Sequence, residues 1–388
     1  MDNPLIGTWA TPFGLPPFER ITDDDWGPAV ESTLMEARGQ VEAIAKDPAE
    51  PTFANTIAAL AKSDEGLTRV LGAFFAVAGA DSTDKREALQ RDFAPKLSAY
   101  SSEITSNATL FARIEDLWSR RDTLGLSDEE ARVLYLAWRG FVRSGAQLPG
   151  AAADRLKEVK SRLATLGTQF TQNLLADERS WSMALTEEEL AELPAFVADG
   201  ARAAGEERGS DPCVTLSRSL IVPYLQFCPR RDRRRTAYEA WTARGMTGGP
   251  TDNRAIAAET LALREERAKL LGYDSFAAFK LETEMAGTPQ AVRDLLIRVW
   301  TPAKAAAEAD AQVLERMLAE DGEAGPLEPW DWRYYAEKRR KAEHDLDEAE
   351  LKPYLQLDRM IEAAFACANR LFGLDFREVE APLYHPDV

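Results

Sequence analysis

Histidine is almost absent from this sequence. Its 388 residues hold two, His344 and His385. Neither is followed by glutamate, and they are not four residues apart. The H-E-x-x-H pattern sets two imidazoles one helical turn apart on a shared metal, with the glutamate activating water. Here it is missing, not degenerate. A Ser/His/Asp or Cys/His arrangement would have to draw on the same two residues, and no G-x-S-x-G context supports one. Cysteine is scarce as well: Cys213, Cys228 and Cys367 are odd in number and far apart. That excludes a disulfide framework and fits a reducing compartment. No apolar run approaches 18 residues, so no membrane-spanning helix is expected. The start, MDNPLIGTWATPF, has neither a basic region nor an apolar run of useful length, so no signal peptide is expected. There is no P-loop and no G-x-G-x-x-G; Gly245, Gly248 and Gly249 lack that spacing and follow no strand. Positive charge is in deficit. The net charge of −18 argues against nonspecific nucleic-acid binding and against adsorption to anionic membranes. Together these absences lead us to expect a soluble cytoplasmic protein.

What is present is mostly amphipathic helix. Residues 1–20 are irregular, with Pro4, Pro12, Pro16 and Pro17 blocking helix. Thr22 reads as an N-cap followed by Asp23, Asp24 and Asp25 in a first turn, opening a helix to about Ala45. PTFANTIAALAKS, Pro51 to Ser63, reads as a capped break and a second helix. Helices are expected over 66–78, 84–106 and 110–118. Ser127 with Glu130 forms a capping box for another over 128–144. A long helix over about 151–177 carries Leu156, Val159, Leu163, Leu166 and Phe170 on one face, a core stripe.

The pattern then changes. Alternation at Trp181, Met183 and Leu185 suggests a strand, with partners at 214–216 and 221–227. Thr186 opens a short helix, and Gly200–Pro212 reads as a polar link. Helices resume over 231–244, 253–271 and 275–285. Thr288-Pro289 and Thr301-Pro302 read as two successive helix starts. A last helix over 358–372 stops at Gly373, and residues 376–388 look extended, a conformation that calls for a strand partner. The expected domains are 1–178, helical; 179–228, a small β insertion and linker; and 229–388, a second helical region.

Pro329–Leu357, PWDWRYYAEKRRKAEHDLDEAELKPYLQL, organises the second half. Trp330, Trp332, Tyr334 and Tyr335 cannot share one helical stripe, so their rings must be buried in more than one direction. Asp347 with Glu350 reads as a capping box. PWDW-x-YYAEK followed by DLDEAxLKPYLxLD resembles the zinc metallopeptidase family of peptidyl-dipeptidases, oligopeptidase A, thimet oligopeptidase and neurolysin. Asp347, Leu351, Lys352, Pro353 and Tyr354 match its pattern. NPLIGTWATPFGLPPFERI, PTF-x-NT and FGLDFREVEAPLYHPDV resemble it too, so matching motifs run from Asn3 to Val388.

The resemblance implies a mainly α, two-lobed, neurolysin-like metallopeptidase architecture, incomplete here, with a small β element near 180–227 and an extended C-terminus. It implies proteolysis of short peptides, with release of C-terminal dipeptides, at a zinc on the floor of a channel. It also implies that this chain corresponds to an N-terminal portion, ending before the family's zinc ligands and the residues that grip substrate. No catalytic, cofactor-binding or metal-binding residue is therefore assigned. Complete members hold zinc; this chain is expected to hold none and to be inactive alone. A separate catalytic half, or self-association through exposed apolar surface, would supply a partner. The alternative is a noncatalytic helical protein that binds peptide or protein.

Three local features carry residue types that other chemistry could use. Glu343, His344, Asp345 and Asp347 cluster, but one imidazole among exposed carboxylates reads as a solvated helix junction, not a tight metal site. His385, before Pro386, reads as structural and extended. The basic run Arg230, Arg231, Arg233, Arg234 and Arg235 reads as ion-paired or solvated, ahead of a phosphate or partner contact.

Overall fold

The computed structural model describes residues 3–344 and 352–388. They are mainly helical, with one two-stranded sheet. Residue contacts divide the chain into two compact units, Met1–Ala153 with Phe376–Val388, and Asp154–Asp375. The expected boundary near residue 178 falls inside the second unit.

In the first unit, α1 (Trp26–Lys46) is followed by a π-helical turn, Phe53–Ala58, and α2 (Ala59–Lys62). Next come α3 (Glu65–Ala80), α4 (Asp84–Thr105), α5 (Ala108–Ser119) and α6 (Asp128–Ser144). Thr22 does not cap α1. Its N–H and hydroxyl both donate to Asp25 Oδ2 at 2.7 Å, so the Asp25 side chain folds back and Asp25 takes the cap position. The capping boxes at Thr52/Asn55 and Ser127/Glu130 form reciprocally. One core joins α1, α3 and α4 through Trp26, Val30, Phe74 and Phe93; Tyr384 of the chain's last residues packs against it. A second gathers Ile57, Leu110, Ile114, Leu117, Leu134 and Phe141.

In the second unit, α7 (Gly150–Ser180) leads to β1 (Ser182–Ala184), α8 (Glu187–Ala191), α9 (Ala195–Arg208) and β2 (Cys213–Thr215). On the α7 stripe Leu156, Val159 and Leu166 are buried, Leu163 is half-buried and Phe170 is exposed. β1 and β2 pair antiparallel, Met183 opposite Val214. Two expectations fail here. Residues 200–208 belong to α9 and are not a link. Gly205 sits where the chain recrosses the helix: a Cβ there would lie 2.6 Å from the Asp211 carbonyl oxygen. Its glycine serves close packing, not a turn. Residues 221–227 are not a strand but part of α10 (Arg218–Phe227), which buries Leu220, Ile221, Tyr224 and Leu225 at helical spacing.

The remaining helices are α11 (Arg231–Thr242), α12 (Arg254–Leu270), α13 (Phe276–Leu281), α14 (Pro289–Glu320), α15 (Trp332–His344) and α16 (Leu357–Phe372). The expected second start at Thr301-Pro302 does not occur; α14 runs through Pro302 for 32 residues. The Thr301 hydroxyl bonds back to the Ile297 carbonyl at 3.0 Å instead of capping a new helix. Residues 373–388 form no strand; the run ends in a turn closed by Val388 N–H to the His385 carbonyl. The Asp347/Glu350 capping box lies outside the described residues. Among the described residues no helix is long and apolar enough to cross a membrane.

Candidate functional site

The arginine run opens α11, and its side chains leave in several directions because successive helical residues are 100° apart. Each finds an acid. Arg230 pairs with Glu192 at 2.8 Å, Arg233 with Glu189 at 2.8 Å and Arg235 with Glu239 at 2.7 Å. The Arg230 guanidinium holds the Glu192 carboxyl below its ordinary range. Arg231 and Arg234, one turn apart, both reach Asp331, just before α15.

Asp331 is fully buried. Its carboxylate accepts from Arg231 Nη2 at 2.7 Å and Arg234 Nη2 at 2.9 Å, and from the Glu328 N–H at 3.1 Å. Arg234 is buried with it; Nη1 donates to the carbonyls of Cys228 and Pro229, and the guanidinium lies 4.2 Å from the Tyr334 ring centroid. Arg231 also donates to the carbonyls of Ala324 and Pro326, fixing the turn that leads into the aromatic stretch. A buried charge costs several kcal/mol unless it is paired, and here both cations share one carboxylate and four main-chain oxygens, with only the buried Nε of Arg234 left without an acceptor among them.

The four aromatics then diverge as their spacing requires. Tyr335 is buried against Leu314 and Leu318 of α14. Burial, and after it the Asp321 carboxylate, raise its phenol above the ordinary range. Trp330 meets the Tyr238 ring edge-on, with centroids 6.5 Å apart, and Arg235 covers it. Trp332 stays partly exposed. It lines a groove of about 780 Å3 with Tyr238, Trp241, Leu327, Pro329, Glu315 and Arg333. This is the aromatic concavity that the stretch builds.

The histidines lie elsewhere. His344 is the exposed last residue of α15, and its neighbour Glu343 is taken by Arg339 at 2.7 Å. Asp345 and Asp347 lie outside the described residues. His385 sits in the closing turn, where Nδ1 accepts from the Asp387 N–H at 3.2 Å. It is bent, not extended as expected. Gly245 takes a positive φ because its N–H must reach the buried Asp177 carboxylate while its carbonyl accepts from Asn253 N–H. That loop is pinned to α7. Among the described residues no three His, Cys, Asp or Glu side chains converge to hold a metal ion, so the side chains seen here do not fit a zinc centre.

Comparison with known proteins accounts for the aromatic stretch. Residues 224–388 match the model of peptidase family M3, a span that takes in the arginine run, Asp331 and α16. The whole chain aligns with dipeptidyl carboxypeptidase of Salmonella typhimurium at 36% identity and with that of Escherichia coli at 34%. Residues 224–388 of the chain belong to peptidase family M3. Oligopeptidase A of Escherichia coli also aligns along the whole chain, at 30% identity. The chain spans 57–58% of the length of these M3 relatives. The Arg234–Asp331 network thus lies inside the M3 match. Sequence reading missed it because its two ends are 97 residues apart.

Proposed function

We propose that this chain forms helical channel wall of an M3 peptidase that shortens oligopeptides by releasing C-terminal dipeptides, and that the chain alone is inactive. In this reading the zinc centre and the groups that act on substrate come from polypeptide outside these 388 residues. One observation carries it: the chain aligns end to end with two dipeptidyl carboxypeptidases over 57–58% of their length, yet contains no H-E-x-x-H. The helices to residue 178, the β insertion at 179–228 and the helices at 229–388 would be three segments of that wall. A reducing, cytoplasmic location fits three widely spaced cysteines. The test is complementation. The unmatched two-fifths of the Salmonella relative, made as a separate polypeptide, is mixed with this chain and a blocked oligopeptide. Dipeptide release that neither component gives alone supports the reading; release by this chain alone overturns it.

The aromatic groove favours a second reading, a helical protein that holds peptide without cutting it. Tyr238, Trp241 and Trp332 offer flat apolar faces, and Glu315 with Arg333 offers charge of both signs in the lining. Calorimetric titration with an uncleavable oligopeptide separates the two readings. Saturable binding lost in Trp332→Ala, without complementation, favours the second.

A further inference from the structure

The α16 helix is unlike every other long helix of the second unit. It spans Leu357–Phe372 and ends in a left-handed Gly373 cap, yet none of its residues is buried. Its apolar side chains are nevertheless placed for burial. Leu357, Met360, Ile361, Ala364, Ala368 and Leu371 recur at i, i+3, i+4, i+7, i+11 and i+14, one continuous stripe. Leu357 is 74% exposed and Leu371 68%. Asp358, Arg359, Glu362 and Arg370 occupy the other side. A helix patterned in this way derives most of its stability from packing, so the stripe implies a covering surface.

The same condition recurs on α14. Its last turns bury Leu314 and Leu318, but Leu295, Leu296, Ile297, Val299 and Trp300 in its first turns are each more than half exposed. Among the described residues of this unit, therefore, two apolar faces stay exposed. Anionic membrane is a poor occupant: the α16 polar side mixes signs, and the chain carries −18. The M3 relatives supply a better one, since some two-fifths of their length has no counterpart here.

We propose that the apolar stripe of α16 is the docking surface for polypeptide corresponding to the part of the M3 relatives that this chain does not span. The proposal rests on the channel-wall reading above and names the surface by which that wall is completed. A second copy of this chain is the competing occupant.

The experiment uses the full chain and, as probe, the unmatched segment of the Salmonella dipeptidyl carboxypeptidase. Binding is read by calorimetry, and backbone protection by hydrogen exchange. The expected result is a one-to-one complex, with at least tenfold slower exchange across Leu357–Phe372. Leu371→Glu should weaken it at least tenfold, whereas Arg359→Glu on the polar side should not. Circular dichroism and the thermal midpoint check that Leu371→Glu remains folded; Met360→Glu provides a second variant. A concentration-dependent dimer abolished by Leu371→Glu would assign the stripe to a second copy and overturn the proposal. So would full-strength binding of both glutamate variants, or no complex with a monomeric chain. If the complex forms through α16 but releases no dipeptide, the docking surface stands and the peptidase reading falls. If dipeptide release survives both variants unchanged, the reverse holds.

Discussion

Arg234 and Asp331 meet at 2.9 Å with both side chains shut off from water, and that ion pair ties α11 to the start of α15. Their separation of 97 residues makes it a tertiary clamp across the second unit. Arg231 adds a second cation to the same carboxylate and holds the preceding turn through Ala324 and Pro326.

Removing the carboxylate should be costly because the cations stay behind. Asp331→Ala leaves Arg234 buried and unpaired, an expected loss of about 3–5 kcal/mol in unfolding free energy. Asp331→Asn should fall between it and the parent, since the amide keeps shape but not charge. Urea denaturation measures both. A loss under about 1 kcal/mol in Asp331→Ala would mean the clamp contributes little.

Two glycines should respond to alanine with opposite signs. At Gly205 a Cβ would meet Asp211 O at 2.6 Å, and backbone must move, so Gly205→Ala should destabilise by about 1–3 kcal/mol. At Gly167, inside α7, nothing lies within 4 Å of the added carbon. Gly167→Ala should stabilise by about 0.5–1 kcal/mol through helix propensity. Thermal and urea midpoints that move in the same direction for both variants would contradict this account.

Alkali should weaken the second unit. Burial, followed by the neighbouring Cys228, raises the Tyr224 phenol, and burial followed by Asp321 raises that of Tyr335. An unfolded tyrosine ionises near pH 10. Above that pH the native state binds more protons than the unfolded state, so stability falls as pH rises. Below about pH 10 both states are protonated and this contribution is fully present. Denaturant midpoints should therefore hold level with pH up to about 9.5 and decline beyond it, and the decline should be shallower in Tyr224→Phe. An unchanged slope in Tyr224→Phe would show that other groups set the decline.

How much was legible follows the range of each signal. The Ser127/Glu130 capping box and the short helix opened by Thr186 are readable because a cap and its partner lie within four residues. Two-residue signals misled where packing overruled them. Thr301-Pro302 looks like a helix start, but α14 continues through it. Gly200 and Gly205 looked like linker residues, yet α9 uses them for close approach to Leu220 and to Asp211. The apolar run Ile221–Phe227 suited a strand by composition; the core decided for helix by burying Ile221, Tyr224 and Leu225 together. The basic run could be read as ion-paired, but not that Arg231 and Arg234 would converge on one carboxylate. No local pattern encodes a contact across so much chain. Family motifs in the aromatic stretch pointed to a metallopeptidase where composition could not.

The central claim is that these 388 residues hold no zinc centre of their own. The direct measurement is zinc content by atomic emission on the purified chain, with dipeptide release from a blocked oligopeptide followed in the same sample. The account predicts zinc well below one atom per chain and no release above background. One tightly held zinc per chain, together with turnover abolished by chelation and restored by zinc, would contradict it.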